Sequence, residues 1–418
     1  MYITQLDSIL LKSAKKVFKC TTKKTKNTAI FVKSTTKNAN CFMNRILFFL
    51  LFQAVFSGIL WAQPGRQRID ESTLPGKRGE LNVRSSVYPR LLPGNRMEFK
   101  VKAPDAQKVQ IDLGSKYDLV RNADGEWTGV TDPLTQGFHY YFLIIDGVSV
   151  ADPASESFYG CSMMSSGVEI PYPEGDVRFY MADVPHGDIR MKRYFSTTAN
   201  DWRRMFIYCP PGYDTSKQSY PVLYLQHGGG EDERGWSNQG RTDIIMDNLI
   251  AKGEAKPMII VMTDGNTNDF ESELLKDCIP FVEKNFRVKT DRNDRALAGL
   301  SMGGIQTLNV GIPHLELFAY LGVFSSGWWA TSTPFGNSHD TEKYYTMLKE
   351  KKDEYNTKLK QFWLSMGGKE DIAYNNCQIM MKRFNDIGIK YSYFETPGGH
   401  TWPVWRESLY QFAPLLFK

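Results

Sequence analysis

Along the chain the spacing of apolar positions changes twice. Residues 46–60 form a nearly unbroken apolar run. From about Leu81 to Gly160, apolar and polar residues alternate in short segments parted by turn residues, at 96–101, 108–113, 125–130 and 138–145. A period of two marks strands with one buried face, so this stretch predicts a small all-β sandwich over 80–180. Near Asp188 the character changes again. Two strands, at 189–195 and 204–209, lead into short continuous apolar runs at 222–225, 258–262, 295–298, 320–324, 362–365 and 391–394, with helical stretches between them. Such runs suit strands covered on both faces by helices, which predicts an α/β fold over 187–418.

The run at 46–60 follows Met43, Asn44 and Arg45 and precedes Ala62. A positive start, an apolar middle too short for a comfortable membrane span and a small residue for cleavage read as a secretory signal peptide. Residues 1–42 are rich in lysine and threonine without apolar periodicity, so Met43 is a sensible initiator and 1–62 is expected to be removed. Export to the periplasm or the medium follows, with no membrane insertion afterwards. Residues 63–79, rich in Pro, Gly and charge, read as a linker.

The leader also distorts the charge. The full chain carries +5, but residues 1–62 hold nine lysines and Arg45 against Asp7 alone, which leaves a net −4 for the remainder. That balance argues against a nucleic-acid partner. Beyond the leader lie Cys161, Cys209, Cys278 and Cys377. An even number in an exported chain permits disulfides, while their wide spacing and apolar neighbours favour free buried thiols. No Cys-x-x-Cys or His-x-x-x-His spacing suggests a metal, and no cofactor is expected.

Gly299-Leu300-Ser301-Met302-Gly303 places a serine between a strand-like and a helix-like stretch, the context of a nucleophile elbow. A serine hydroxyl needs a base to take its proton. Of six histidines, His139 falls in the sandwich, His186 in the connection, His227 before a glycine run, His314 in a helix-ending turn and His339 in a polar loop. His400 remains, in a glycine-flanked loop directly after the last predicted strand. A carboxylate between serine and histidine should fix the imidazole tautomer, and Asp371 fits better than its neighbour Glu370. Two amides suggest themselves for the developing oxyanion: that of Met302, and one within His227-Gly228-Gly229-Gly230. His227 itself reads as a loop-packing residue. Trp328 and Trp329 follow a predicted strand where an aromatic wall would suit an aryl acyl group, and Trp236 and Trp402 are similar candidates.

These motifs, together with Gly368-Lys369-Glu370-Asp371 and the segment from Glu395 to Trp402, resemble the esterase-D-like α/β hydrolases. That group includes the feruloyl and acetylxylan esterases of carbohydrate esterase family 1. The resemblance implies Ser301 as nucleophile, His400 as base and Asp371 as its acidic partner, with the Gly229 and Met302 amides as oxyanion hole. It also implies hydrolysis of feruloyl or acetyl esters on plant cell-wall oligosaccharides or polysaccharides through an acyl-serine. Asp152-Pro153-Ala154 and Phe158-Tyr159-Gly160 resemble the immunoglobulin-like sandwich, similar to a family-48 carbohydrate-binding module, that precedes this catalytic domain in two-domain bacterial esterases. Its aromatic residues suit core packing at least as well as a sugar platform. The alternatives are a siderophore-type or other small-ester esterase, an acyltransferase, and a glycan-binding protein without chemistry.

Overall fold

Alternating apolar positions build the first two sheets. In the computed structural model, which describes residues 70–418 apart from Arg84 and 329–340, the strands are β1 (Lys77–Arg78), β2 (Arg90–Leu92), β3 (Arg96–Lys102), β4 (Val109–Asp112), β5 (Lys116–Asp118), β6 (Val120–Arg121), β7 (Glu126–Val130), β8 (Gly137–Ile145), β9 (Val148–Val150), β10 (Ser157–Gly160) and β11 (Met163–Ile170). They pair antiparallel in the orders β1-β2-β3-β7-β6 and β10-β11-β8-β4-β5, with β9 beside β8. Met97, Phe99 and Trp127 of one sheet share a core with Val109, Ile111, Tyr141, Leu143 and Val168 of the other. The expected leader and Trp329 lie outside the described residues.

The second region supplies β12 (Asp188–Ser196), β13 (Asp201–Cys209), β14 (Val222–Gln226), β15 (Ile259–Thr263), β16 (Arg295–Leu300), β17 (Tyr320–Phe324), β18 (Gln361–Met366) and β19 (Ser392–Glu395). They form one sheet in the order β12-β13-β15-β14-β16-β17-β18-β19. The β12 and β13 pairings are antiparallel and the others parallel. Helices α1 (Thr242–Ala251), α2 (Ile279–Asn285), α3 (Met302–Gly311), α4 (Tyr374–Ile387) and α5 (Trp402–Phe412) belong to the layers beside it. Two large apolar clusters, one including Val222, Leu297 and Leu364 and the other Leu223, Ala298 and Leu409, enclose the sheet. The architecture is an α/β-hydrolase sheet preceded by antiparallel all-β sheets.

The strand β8 faces two cores. Its odd-numbered Tyr141 and Leu143 enter the sandwich interior, whereas Phe138 joins the cluster that holds Trp402, Val404 and Leu409. Residues 70–418 accordingly make one compact unit. Neither the linker nor the cysteines match the sequence reading throughout. Asp70 caps the turn Glu71–Thr73 by accepting from the Ser72 amide, β1 pairs with β2, and buried Arg90 donates to the Pro75 and Gly76 carbonyls. A backbone held this way is built into the sandwich, so the stretch expected to be linker is structured from Asp70 onward. All four cysteines are free, as favoured, but only Cys209, Cys278 and Cys377 are buried. Cys161 is exposed on the β10–β11 turn. Among the described residues no helix is long and apolar enough to cross a membrane.

Candidate active site

Steric crowding makes the elbow what it is. Ser301 follows β16 directly and precedes α3, with φ 50° and ψ −116°, a strained conformation for a residue with a Cβ. A Cβ on Gly299 would lie 2.5 Å from the Gly303 carbonyl, and one on Gly303 2.6 Å from the His227 carbonyl. Only glycine permits both approaches. The turn is held by the Ser301 amide donating to Phe324 O at 2.9 Å and by the Ser326 hydroxyl donating to Ser301 O at 2.6 Å.

The loop between β19 and α5 carries His400 over this turn. His400 Nε2 stands 2.9 Å from Ser301 Oγ, and Nδ1 2.8 Å from Asp371 Oδ1. The same Oδ1 accepts from the Ala373 amide at 2.9 Å. Burial pushes the Asp371 carboxyl up, but the His400 contact and the Ala373 amide outweigh it and hold it below the usual carboxylate range. The Ser325 hydroxyl adds to this pull without meeting hydrogen-bond geometry. An ionised Asp371 requires the proton on Nδ1, which leaves the Nε2 lone pair toward the serine. Glu370 is turned elsewhere, accepting from the Gly398 amide at 3.1 Å and so steadying the histidine loop.

Opposite the histidine lies the glycine loop after β14. Met302 is the first helical residue of α3, so no carbonyl one turn earlier is placed to take its amide. A Cβ on Gly229 would meet nothing within 4 Å, which means that this residue borders open space. His227 is buried beneath the loop. The Gly265 amide donates to its Nε2 at 2.8 Å, so its proton sits on Nδ1 and is donated to Gly228 O at 2.8 Å. Both ring nitrogens thus bond the backbone, with Asp264 Oδ1 3.5 Å from Nε2, as suits a packing residue. Buried Glu231 closes the loop, its Oε2 accepting from the Gly228 amide at 3.3 Å.

Ser301, His400, Gly228 and Gly229 line a cavity of about 450 Å³ whose other walls include Leu300, Trp402 and Trp405. Its remaining side is the sandwich: Asp112 at the end of β4, Leu113 and Gly114 from the turn that follows, Phe138, Tyr140 and Phe142 from β8, and Cys161. His139 also lines it. Its Nε2–H donates to Thr135 O at 2.7 Å, and burial lowers its affinity for a second proton. The sequence does not single out Trp405, Phe142 or Glu231, and Tyr140 reads there only as a sandwich aromatic suited to core packing or a sugar platform. Their roles depend on contacts across the fold that carry no local signal.

The tryptophan candidates divide. Trp402 borders the cavity, although the residue is only 1% exposed. Trp236 and Trp328 are corrected to core residues: Trp236 donates to Gln226 O and packs edge-on against Trp402, and Trp328 donates to Asn309 and stacks on Tyr344. Neither borders the cavity, so neither presents a face to a ligand there. An apolar ring after a strand satisfies core and pocket equally in sequence, and here the core takes both.

The family described as "Putative esterase" matches residues 196–416. The chain is 35% identical over 361 residues to an endo-1,4-beta-xylanase/feruloyl esterase of Xylanibacter ruminicola, covering 81% of this chain and 47% of that protein. It therefore spans less than half the length of that relative. Among solved structures, a variant of the feruloyl esterase module from Clostridium thermocellum complexed with sinapinate is similar at 25% identity and a TM-score of 0.50, over 59% of this chain and 93% of that one. The enterobactin esterase from Shigella flexneri is similar in fold, at 18% identity and a TM-score of 0.59, over 76% of this chain and 92% of its own.

Proposed function

This chain belongs to the Esterase family, and we propose that it is a serine carboxylic-ester hydrolase that removes feruloyl groups from plant arabinoxylan. The observation that carries the reading is the continuous relay from Asp371 through His400 to Ser301 Oγ, at 2.8 and 2.9 Å, opening on a cavity large enough for an aryl acyl group. Ser301 Oγ attacks the ester carbonyl as His400 Nε2 takes its proton, and the carbonyl oxygen becomes an anion held by the Met302 and Gly229 amides. Collapse of that intermediate breaks the ester bond. His400 returns the proton to the leaving sugar hydroxyl, and the acyl group stays on Ser301. Water then adds to the acyl carbon, giving its proton to His400, and a second collapse releases the acid and restores the serine.

Feruloyl is favoured over acetyl because the cavity is far larger than an acetyl group needs and its walls offer Phe138, Phe142, Trp402 and Trp405. The similarity to a xylanase/feruloyl esterase points the same way. An anionic siderophore is a poorer match, because the charged cavity residues are Asp112 and Glu231 and, among the described residues, neither Lys nor Arg lines it. The apolar run at 46–60 supports export, so the proposed site of action is the periplasm or the medium. The test is to incubate the purified protein with feruloylated arabinoxylan oligosaccharides and with acetylated xylan and to quantify the acids released. Ferulate release supports the reading. Acetate alone reassigns the acyl group, and neither acid removes the plant ester.

A further inference from the structure

One hydroxyl of the sandwich stands between the two loops that form the catalytic site. The Tyr140 oxygen lies 3.0 Å from Glu231 Oε1, 2.6 Å from Gln239 Nε2 and 3.1 Å from Trp402 Nε1. The amide and indole nitrogens are donors, so the phenol oxygen accepts twice and its single proton goes to Glu231. Glu231 in turn accepts the Gly228 amide. Trp402 stands two residues after His400 and opens α5. A single side chain thus joins the loop of oxyanion amides to the loop of the base.

The surroundings make this junction rigid. The Gln239 side chain is fixed by its second bond, to Tyr159 O at 3.0 Å, and its main chain by Arg406 Nε, which donates to the backbone carbonyl at 2.7 Å. Arg406 forks onto Glu169 of β11 at 2.7 and 3.1 Å, both side chains being buried. A second tie runs from the Ser162 amide, on the β10–β11 turn, to Gly230 O at 2.8 Å. The glycine loop needs such bracing. Three successive glycines have little conformational preference of their own, and at Gly229 the space a side chain would occupy is open.

We infer that Tyr140 is a positioning residue of the ester-cleaving centre, holding the Gly228–Gly229 amides through Glu231 and the His400 loop through Trp402. The inference rests on the esterase reading above and goes beyond it, because it makes the sandwich a working part of the catalytic centre. The aromatic ring of Tyr140 also packs edge-on against Phe138, and that packing survives in Tyr140→Phe. What Tyr140→Phe removes is the proton donated to Glu231 and the acceptor for Gln239 and Trp402. Glu231→Gln keeps an acceptor for Tyr140 but turns an NH₂ group toward the Gly228 amide, so it breaks the same relay at its other end.

The experiment compares steady-state hydrolysis of methyl ferulate and 4-nitrophenyl acetate by the full-length wild type, Ser301→Ala, Tyr140→Phe, Glu231→Gln and the double variant Tyr140→Phe/Glu231→Gln. Displaced oxyanion donors lower kcat, so each single relay variant is expected to lose about tenfold or more in kcat with KM within about twofold. Circular dichroism and Tm should remain close to wild type. The double variant should lose no more than the worse single one, since both changes cut one relay. Wild-type kcat in Tyr140→Phe, a rise in KM alone, or losses that multiply in the double variant would overturn the inference while leaving the esterase reading intact. If Tyr140→Phe fails to fold, Glu231→Gln decides by the same kcat criterion. A wild type that cleaves neither ester, or a Ser301→Ala variant as active as wild type, overturns the esterase reading and this inference with it.

Discussion

His400 Nε2 and Ser301 Oγ lie 2.9 Å apart although 99 positions separate them in the chain. The serine reaches that position by holding φ 50° and ψ −116° at the end of β16. Ser301→Ala keeps the backbone and deletes only the attacking oxygen. Hydrolysis should fall by about 10⁴-fold or more, with Tm unchanged by thermal melting. More than a few per cent of wild-type turnover would remove Ser301 from the nucleophile's place.

Asp371 differs from Glu370 in what it orders. Asp371→Asn can donate as well as accept, which lets the wrong imidazole tautomer face the serine, and a drop of about 10⁴-fold in kcat is expected. Glu370→Gln still accepts the Gly398 amide and should cost less than about tenfold. Comparable losses at both would reopen the choice of carboxylate.

The Asp371 carboxyl also predicts a pH signature. Its folded pKa is depressed, so its ionised form stabilises the fold above the unfolded value, near pH 4, and that contribution is lost as pH falls through the folded value. Denaturation curves of wild type and Asp371→Asn should therefore differ most at neutral pH and converge on acidification. A gap that widens toward low pH would contradict the sign.

Two glycines beside the nucleophile should respond oppositely to a methyl group. At Gly303 a Cβ would stand 2.6 and 2.8 Å from the backbone oxygens of His227 and Gln226, which cannot swing aside. Gly303→Ala is expected to lose about 1–3 kcal/mol of stability and most activity. At Gly229 the methyl enters open space, so Gly229→Ala should leave Tm within a few degrees of wild type. Equal Tm losses would refute this reading of the loop.

Much of the fold was legible because the catalytic strands are short apolar runs between turn residues. The predicted strand at 222–225 and the observed Val222–Gln226 agree to one residue, and the strand at 320–324 coincides with Tyr320–Phe324. Met163–Ile170 escaped because it does not alternate: β11 is buried nearly throughout, and Ser165 and Ser166 satisfy their hydroxyls on Phe158 O and the Asp152 carbonyl rather than in water. The serine elbow and the glycine-flanked histidine each have a local pattern. Tyr140 and Trp402, 262 positions apart, share none, so the sandwich's part in the site emerges only from the packed structure.

The division of the tryptophans yields the last prediction. Trp328 stacks on Tyr344 at 5.2 Å and lies edge-on to Tyr345 and Phe384, so truncation leaves a cavity among rings that cannot close it. Trp328→Ala should cost about 3–5 kcal/mol in chemical denaturation while the folded fraction keeps the wild-type KM. Trp405 packs edge-on to His400 and lines the cavity, and Phe142 lines its sandwich side. Phe142→Ala removes aromatic surface without touching the relay, so it should raise KM for methyl ferulate several-fold and leave KM for 4-nitrophenyl acetate nearly unchanged. Equal KM changes for both esters would place the aryl group against other walls, and a KM rise in folded Trp328→Ala would return that residue to the substrate's side.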